Sequence, residues 1–271
     1  MKAPTDAIPT VQDLIKQMRL DALRNRLAVN AKDGLIMVHV PEGEFEMGDG
    51  KDEDCSKHRV HLSAYWIGVY CVTNAQYLRF VEATGHRPPA RADYGDPVWT
   101  GRRFPRKKAD HPVVYVSWYD ALAYAKWAGC ELPTEAQWEK AARGPQGLIY
   151  PWGNDWDANK CRQSENHGNE MTSAVSGYPQ GVSEYGTYGQ SGNVWEWCAD
   201  WYDSGYYAQS PARDPRRGPK GSSDLSRRGG CWWLNGPASV RGARRSGCDP
   251  GNGHADLGFR LVRPLSGPLP S

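Results

Sequence analysis

A chain of 271 residues and 30.2 kDa has ample material for a core, as one large domain or two small ones. Its net charge of +2 and pI near 8.1 supply no general field for nucleic acid or a membrane surface, and no apolar run is long enough to span a bilayer. Hydrophobic residues are only 39%, but 12 Trp and 14 Tyr concentrate apolar area in large rings, while 30 Gly and 20 Pro argue for long, shaped loops. Seven cysteines, irregularly spaced and without a CxxC pair, indicate neither a disulfide framework nor a zinc site and fit a reducing compartment. The opening MKAPTDAIPT has no apolar leader core, so the expectation is a cytoplasmic product, any display being left to a partner.

Residues 10 to 29 carry Val11, Leu14, Ile15, Met18, Leu20, Leu23 and Leu27 at helical spacing, which predicts one amphipathic helix packed on the domain it precedes. Asn30 to Gly34 breaks it. The apolar run Leu35 to Val40, a Pro-Glu-Gly turn, and Phe45 to Met47 read as a hairpin, and Arg59 to Leu62 and Tyr65 to Val72 continue as strands. Three capping boxes open helices: Thr73 with Gln76 through Ala83, Ser117 with Asp120 through Ala128, and Thr134 with Gln137 through Arg143. Arg102, Arg103, Arg106, Lys107 and Lys108 form a basic run best read as a solvated loop. Residues 145 to 192 and 202 to 226 are loop-rich around a short aromatic strand, Asn193 to Trp197, and the last strand is Leu257 to Val262. The expected organisation is an N-terminal helical extension over 1–34, a single α+β domain over 35–263 and a tail over 264–271.

The segment after Arg227 alternates between a rigid frame and freely filled positions. The frame is Arg228-Gly229-Gly230, Trp232, Pro237, Val240-Arg241, Ala243, Arg245, Pro250 and Leu257 to Val262. Between these stand Leu234, Asn235, Gly236, Ala238, Ser239, Arg244, Ser246, Gly247, Cys248, Asp249, Asn252, His254, Ala255 and Asp256. Each of these can be reached from an Asn codon by changing its two adenines, a rule that forbids Lys, Gln, Glu, Trp and Met. None of the five occurs from Leu234 to Val262, although together they are 49 of the 271 residues, so composition alone predicts about five there. A Gly-rich loop that merely lacks long side chains would produce the same gap. Trp232 reads as core and Trp233 as either core or contact. His254, with no partner motif nearby, reads as an exposed contact and not as a metal ligand or base.

Ordered motifs run through the rest of the chain: Val40-Pro41-Glu42-Gly43 with Phe45-x-Met47-Gly48, Val72-Thr73-Asn74 with Tyr77 and Phe80, and Pro112-Val113-x-x-Val116-Ser117-Trp118. Leu132-Pro133-Thr134-Glu135-Ala136-x-Trp138-Glu139, Tyr150-Pro151-Trp152-Gly153, Gly192-Asn193-Val194-Trp195-Glu196-Trp197, Arg228-Gly229-Gly230 and Leu257-Gly258-Phe259-Arg260 complete the set. Over about 35–263 the sequence resembles the sulfatase-modifying-factor domain, the family of the formylglycine-generating enzyme, which implies a loop-rich variant of the C-type lectin fold. Fold alone does not decide function. Glu135, one residue inside its helix, reads as a partner of the helix dipole in preference to a catalytic carboxylate.

The resemblance implies two kinds of metal site, and the residues meet neither well. In the enzymes, the fourth and ninth residues after the double glycine are cysteines that bind copper and activate oxygen; here they are Leu234 and Ser239, and copper(I) wants thiolates. Cys231 and Cys248 are out of register. The family's sulfoxide synthases would need a helical metal-binding domain ahead of this one, and the N-terminal segment has no paired His. For calcium, one family site leaves Gly192, Val194 and Glu196 as weak candidates, because its acidic or amide position is Gly189. At the second, Asn159 and Lys160 match while the expected Asp falls near His167. Glu196 is expected to hold backbone or Arg groups instead.

The C-terminal pattern is similar to that of another user of this fold, the variable proteins of diversity-generating retroelements, whose C-terminal segment is rewritten by adenine-directed mutagenesis. That resemblance implies a non-catalytic protein whose variable segment, about 231–256, presents a changeable binding surface. Trp233 and the fourteen freely filled positions are then the expected contacts, the partner is expected to be a protein, and neither nucleic acid nor membrane insertion is expected.

Overall fold

The computed structural model describes residues 26–89, 97–218 and 222–265. Among these residues, ten short strands and three α-helices follow in chain order: β1 (Leu27–Val29), β2 (Ile36–Val40), β3 (Gly43–Met47), β4 (His58–Leu62), β5 (Tyr65–Gly68), α1 (Asn74–Thr84), α2 (Trp118–Ala128), α3 (Glu135–Arg143), β6 (Trp195–Trp201), β7 (Leu225–Arg228), β8 (Arg245–Cys248), β9 (Leu257–Phe259) and β10 (Val262–Pro264). One antiparallel sheet has the order β1-β2-β5-β10, β3 and β4 form a two-stranded ribbon, and a second sheet has the order β8-β7-β6-β9 with β6 and β9 parallel. This is an α+β fold of the C-type lectin kind. Among the described residues, no helix is long and apolar enough to cross a membrane.

Side-chain alternation explains the continuous apolar run of β2. Ile36, Val38 and Val40 enter one apolar cluster with Phe45, Val60 and Ile67, whereas Leu35 and Met37 enter a second with Tyr77, Tyr124, Trp197 and Phe259. The strand is buried on both faces. In the second cluster Tyr77 stacks on Tyr124 at 5.8 Å with rings 8° apart, and Phe259 meets Tyr124 edge-on at 5.3 Å.

All three helices begin where the capping boxes place them. Thr73, Ser117 and Thr134 each accept the main-chain N–H three residues on, and Gln76, Asp120 and Gln137 return the bond. Gly85 and Gly129 end α1 and α2 in the left-handed conformation.

Four sequence expectations need correction. The helix expected over 10–29 lies outside the described residues up to 25, and its last part is strand β1, because Leu27 to Val29 pair with Val38 to Ile36 along the edge of the first sheet. Pairing overrides local periodicity there, and residues 27–34 belong to the domain and not to an extension. The Leu35–Met47 hairpin does not form: β2 pairs with β1 and β5, β3 with β4, since the chain leaves the sheet at Pro41, which cannot donate a ladder bond. The aromatic strand runs farther than expected, to Trp201. The last strand is split between β9 and β10 in different sheets, because Arg260 between them turns into the interior.

Buried carboxylates tie these layers together. Glu139 on α3, fully inaccessible, accepts Arg228 from β7, Arg143 from its own helix, the Gly48 N–H at 2.7 Å and the Tyr207 hydroxyl at 3.1 Å. Burial works to raise its pKa, but Arg228 and then Arg143 outweigh it and hold the carboxyl below its usual range. Removing one partner of such a pair strands the other charge. Glu139→Gln and Arg228→Met should each lower unfolding free energy by about 3–5 kcal/mol in urea titrations, and a loss under about 1 kcal/mol would show that the pair is not structural.

Asp200 on β6 accepts the main-chain N–H groups of Glu135 and Arg217, both at 2.6 Å. Burial, and then the charge of Glu135, push its carboxyl from its ordinary 3.8 up to about 7. Between these pH values the unfolded chain has lost the proton and the folded one keeps it, so stability falls as pH rises through the window. Chemical denaturation from pH 4 to pH 7 should show this decline in the wild type and a flatter profile in Asp200→Asn. Parallel profiles would assign the slope to other groups.

Candidate functional site

The C-terminal segment leaves β7 through Gly229 and Gly230. Gly230 has φ +71, and a Cβ there would stand 2.8 Å from the Ser239 carbonyl oxygen, so only glycine lets residues 230 and 239 approach. The segment then forms two loops. In the first, Trp232 N–H donates to the Asn193 carbonyl at 3.0 Å, the Leu234 carbonyl accepts Ser164 N–H at 3.0 Å, and Tyr150 Oη and Ser191 Oγ bond the carbonyls of Pro237 and Val240. In the second, Trp118 N–H donates to Pro250 and Tyr115 N–H to His254, each at 3.0 Å. Two indoles join the loops: Trp232 Nε1 donates to the Ala255 carbonyl at 3.4 Å and Trp233 Nε1 to Asp256 Oδ2 at 2.7 Å.

Arginines of the frame clamp this path to the scaffold. Arg245 makes a two-bond fork to Glu135, Nε to Oε1 at 2.9 Å and Nη2 to Oε2 at 2.6 Å, with its guanidinium 4.3 Å from the Tyr207 ring centre. Arg241 donates to Asp49 at 2.7 Å, to Asp52 at 2.6 Å and to the Ala238 carbonyl at 2.9 Å. Arg260 forks onto Glu196, Nε to Oε2 at 2.5 Å and Nη2 to Oε1 at 2.7 Å. For Arg260, burial opposes its charge but Glu196 prevails and raises its pKa.

The structure divides the expected contact positions. Trp233, Asn235, Ala238, Asp249 and Asn252 are exposed, Trp233 by 47%, and Leu234, Ser239, Arg244, Ser246 and His254 are half-buried. Cys248, Ala255 and Asp256 are buried and cannot meet a partner directly: Cys248 pairs with Leu225 across the sheet, and Ala255 and Asp256 lead into β9, where the Asp256 carbonyl accepts Trp195 N–H. Gly236 sits at φ 77, ψ 163, a conformation in which any side chain is strained, and a Cβ on Gly247 would meet Tyr202 at 2.9 Å. Exchange at either would move the backbone. Trp232, expected in the core, is half-buried against the His167 ring at 5.1 Å.

The metal candidates do not fit. Leu234 and Ser239 offer no thiolate for copper(I), and Cys231 is fully buried with its thiol pushed up by burial and by Asp256. Both carboxylate oxygens of Glu196 are engaged by Arg260, Trp138 Nε1 at 2.8 Å and Cys71 Sγ at 3.2 Å, so a divalent cation would meet a guanidinium there; Gly192 and Val194 bring only main-chain oxygens. Asp52, Asp54 and Cys55 lie close together, but Arg241 and Arg244 face Asp52 and the Tyr202 hydroxyl bonds Asp54.

Sequence reasoning missed the supports of these loops: Asp49 and Asp52 under Arg241, Asp256 under Trp233, and His167 beside Trp232. The acidic run Asp49 to Asp54 was the one visible signal, since four acids in six residues need counter-charges.

The chain matches the model of the "Sulfatase-modifying factor enzyme 1-like domain" over residues 25–265. It is 37% identical to a formylglycine-generating enzyme of Streptomyces coelicolor over 83% of this chain and 88% of that protein. Among solved structures it is similar to PvdO from Pseudomonas aeruginosa, with TM-score 0.73 and 26% identity over 88% of this chain and 98% of that one. It also shares the fold of Treponema denticola variable protein 1, with TM-score 0.70 and 24% identity over 87% of this chain and 97% of that one. On the frame residues, the buried charge pairs and these matches together, the chain belongs to the sulfatase-modifying factor enzyme 1-like domain family.

Proposed function

We propose that this protein is a non-catalytic ligand-binding protein whose C-terminal segment is diversified by a retroelement. One observation carries the reading: most positions of the frame are buried, its arginines in ion pairs, while eleven of the fourteen freely filled positions between them are exposed or half-buried. Val240, Arg241, Ala243, Arg245, Pro250 and Leu257 to Arg260 are all buried, whereas the freely filled Asn235, Ala238, Asp249 and Asn252 are exposed, with the indole of Trp233 exposed beside them. Side chains can change on such a surface without changing the path beneath them. Preorganisation lowers the entropy lost on binding, which lets an unselected surface reach useful affinity. The exposed set is nearly neutral and includes one large indole, which suits a protein partner better than a polyanion. A protein named a variable protein uses the same fold. No membrane insertion is required, and a cytoplasmic site of synthesis fits the reduced cysteines.

The gene's locus should hold a second, near-identical copy of the Cys231–Asp256 coding segment, with Asn codons at the freely filled positions, beside a reverse transcriptase gene. Sequencing that finds the segment unique in its genome would refute the diversification reading.

A second reading is a formylglycine-generating or sulfoxide-forming oxidoreductase, the first of these being the name that relatives carry. Leu234 and Ser239 stand against it. Copper(I) titration with a cysteine-containing peptide should give no saturable binding and no oxygen uptake. Turnover would establish the enzyme reading in place of ours.

A further inference from the structure

The loop that supports Trp232 and Leu234 is gathered around a side chain. Arg162 sends Nη1 to the Asn166 carbonyl at 2.9 Å and Nη2 to the carbonyls of His167 at 2.8 Å and Glu170 at 2.5 Å. Three main-chain oxygens converging on one positive charge is the arrangement a hard cation makes of a loop. Asn166 Nδ2 then ties the loop back to the carbonyls of Ala158 and Cys161, at 2.9 and 2.8 Å. Residue 167 offers an imidazole and no carboxylate, and Asn159 is exposed, its Nδ2 donating to Asp157 Oδ1.

We infer that the Arg162 guanidinium serves as the built-in cation of residues 158–170 and, through them, positions the first loop of the C-terminal segment. The connection is short. Ser164 N–H holds the Leu234 carbonyl, the His167 ring lies against Trp232, and the Arg162 carbonyl accepts Asn193 N–H at 2.9 Å while the Asn193 carbonyl accepts Trp232 N–H. A divalent ion brought to the same oxygens would meet a fixed positive charge, so order in this loop is independent of calcium. The inference stands on the loop geometry and holds whatever the C-terminal segment binds.

Hydrogen exchange and thermal unfolding of the full chain test it. With excess calcium or with chelator, the wild type should keep the same Tm and the same amide protection. Arg162→Met should speed exchange at 164–170 and 232–235 by about tenfold while leaving 121–128 in α2 unchanged. Arg162→Lys, which keeps the charge and loses the fork, should fall between the two and serves as the readable variant where Met does not fold. A saturable rise in wild-type Tm with calcium would overturn the inference. So would unchanged exchange at 232–235 in both variants.

Discussion

Three buried glutamates, each bound to an arginine of the C-terminal segment, are the constraint on which the rest of the molecule depends. Glu139 takes Arg228 where the segment begins, Glu135 takes Arg245 at its middle, and Glu196 takes Arg260 where it ends. Each pair removes both ions from water, which is costly unless every lone pair finds a donor. Further partners supply much of this: Trp138 shares Glu196, Gly48 and Tyr207 share Glu139, and the spare guanidinium protons of Arg260 reach the carbonyls of Gly68 and Tyr188. A segment anchored in this way at three points has a defined path before any of the residues between them is specified.

That separation of anchoring from surface chemistry connects fold to function. The helix carrying Glu135 and Glu139 and the strand carrying Glu196 are held by a cap and by cores built mostly from residues outside the freely filled set, Cys248 and Ala255 being the exceptions. On the proposed reading, changes at Asn235 or Ala238 would alter what the surface offers a partner and leave the anchors untouched. Asp256 shows where the separation ends: it is buried, yet it orients the exposed indole of Trp233, so altering it would act on the surface from beneath.

The same logic of internal cations recurs elsewhere in the molecule. Arg260 occupies the Glu196 carboxylate, and Arg162 gathers the carbonyls of the 158–170 loop. A guanidinium delivers a fixed charge and several directed donors, and it is covalently present at every calcium concentration. Cysteine chemistry is likewise shut away, since all seven thiols are buried and unpaired with one another.

Much of this could be read in the chain before any coordinates. The three capping boxes located every α-helix described, because a cap is a local bond between residues three apart. The frame of the C-terminal segment was legible because its motifs resemble those of other users of this fold, and most of its positions are buried. Strand partnership was not legible: β2 and β3 are neighbours in sequence but lie in different sheets, and Leu27, at helical spacing with the residues before it, pairs in a strand. Nor did the pattern of permitted residues separate Asn235, in solvent, from Ala255 and Asp256, in the interior. Residue identity reports what a position tolerates, whereas pairing and burial depend on contacts between segments far apart in the chain, and only the folded arrangement decides which of them meet.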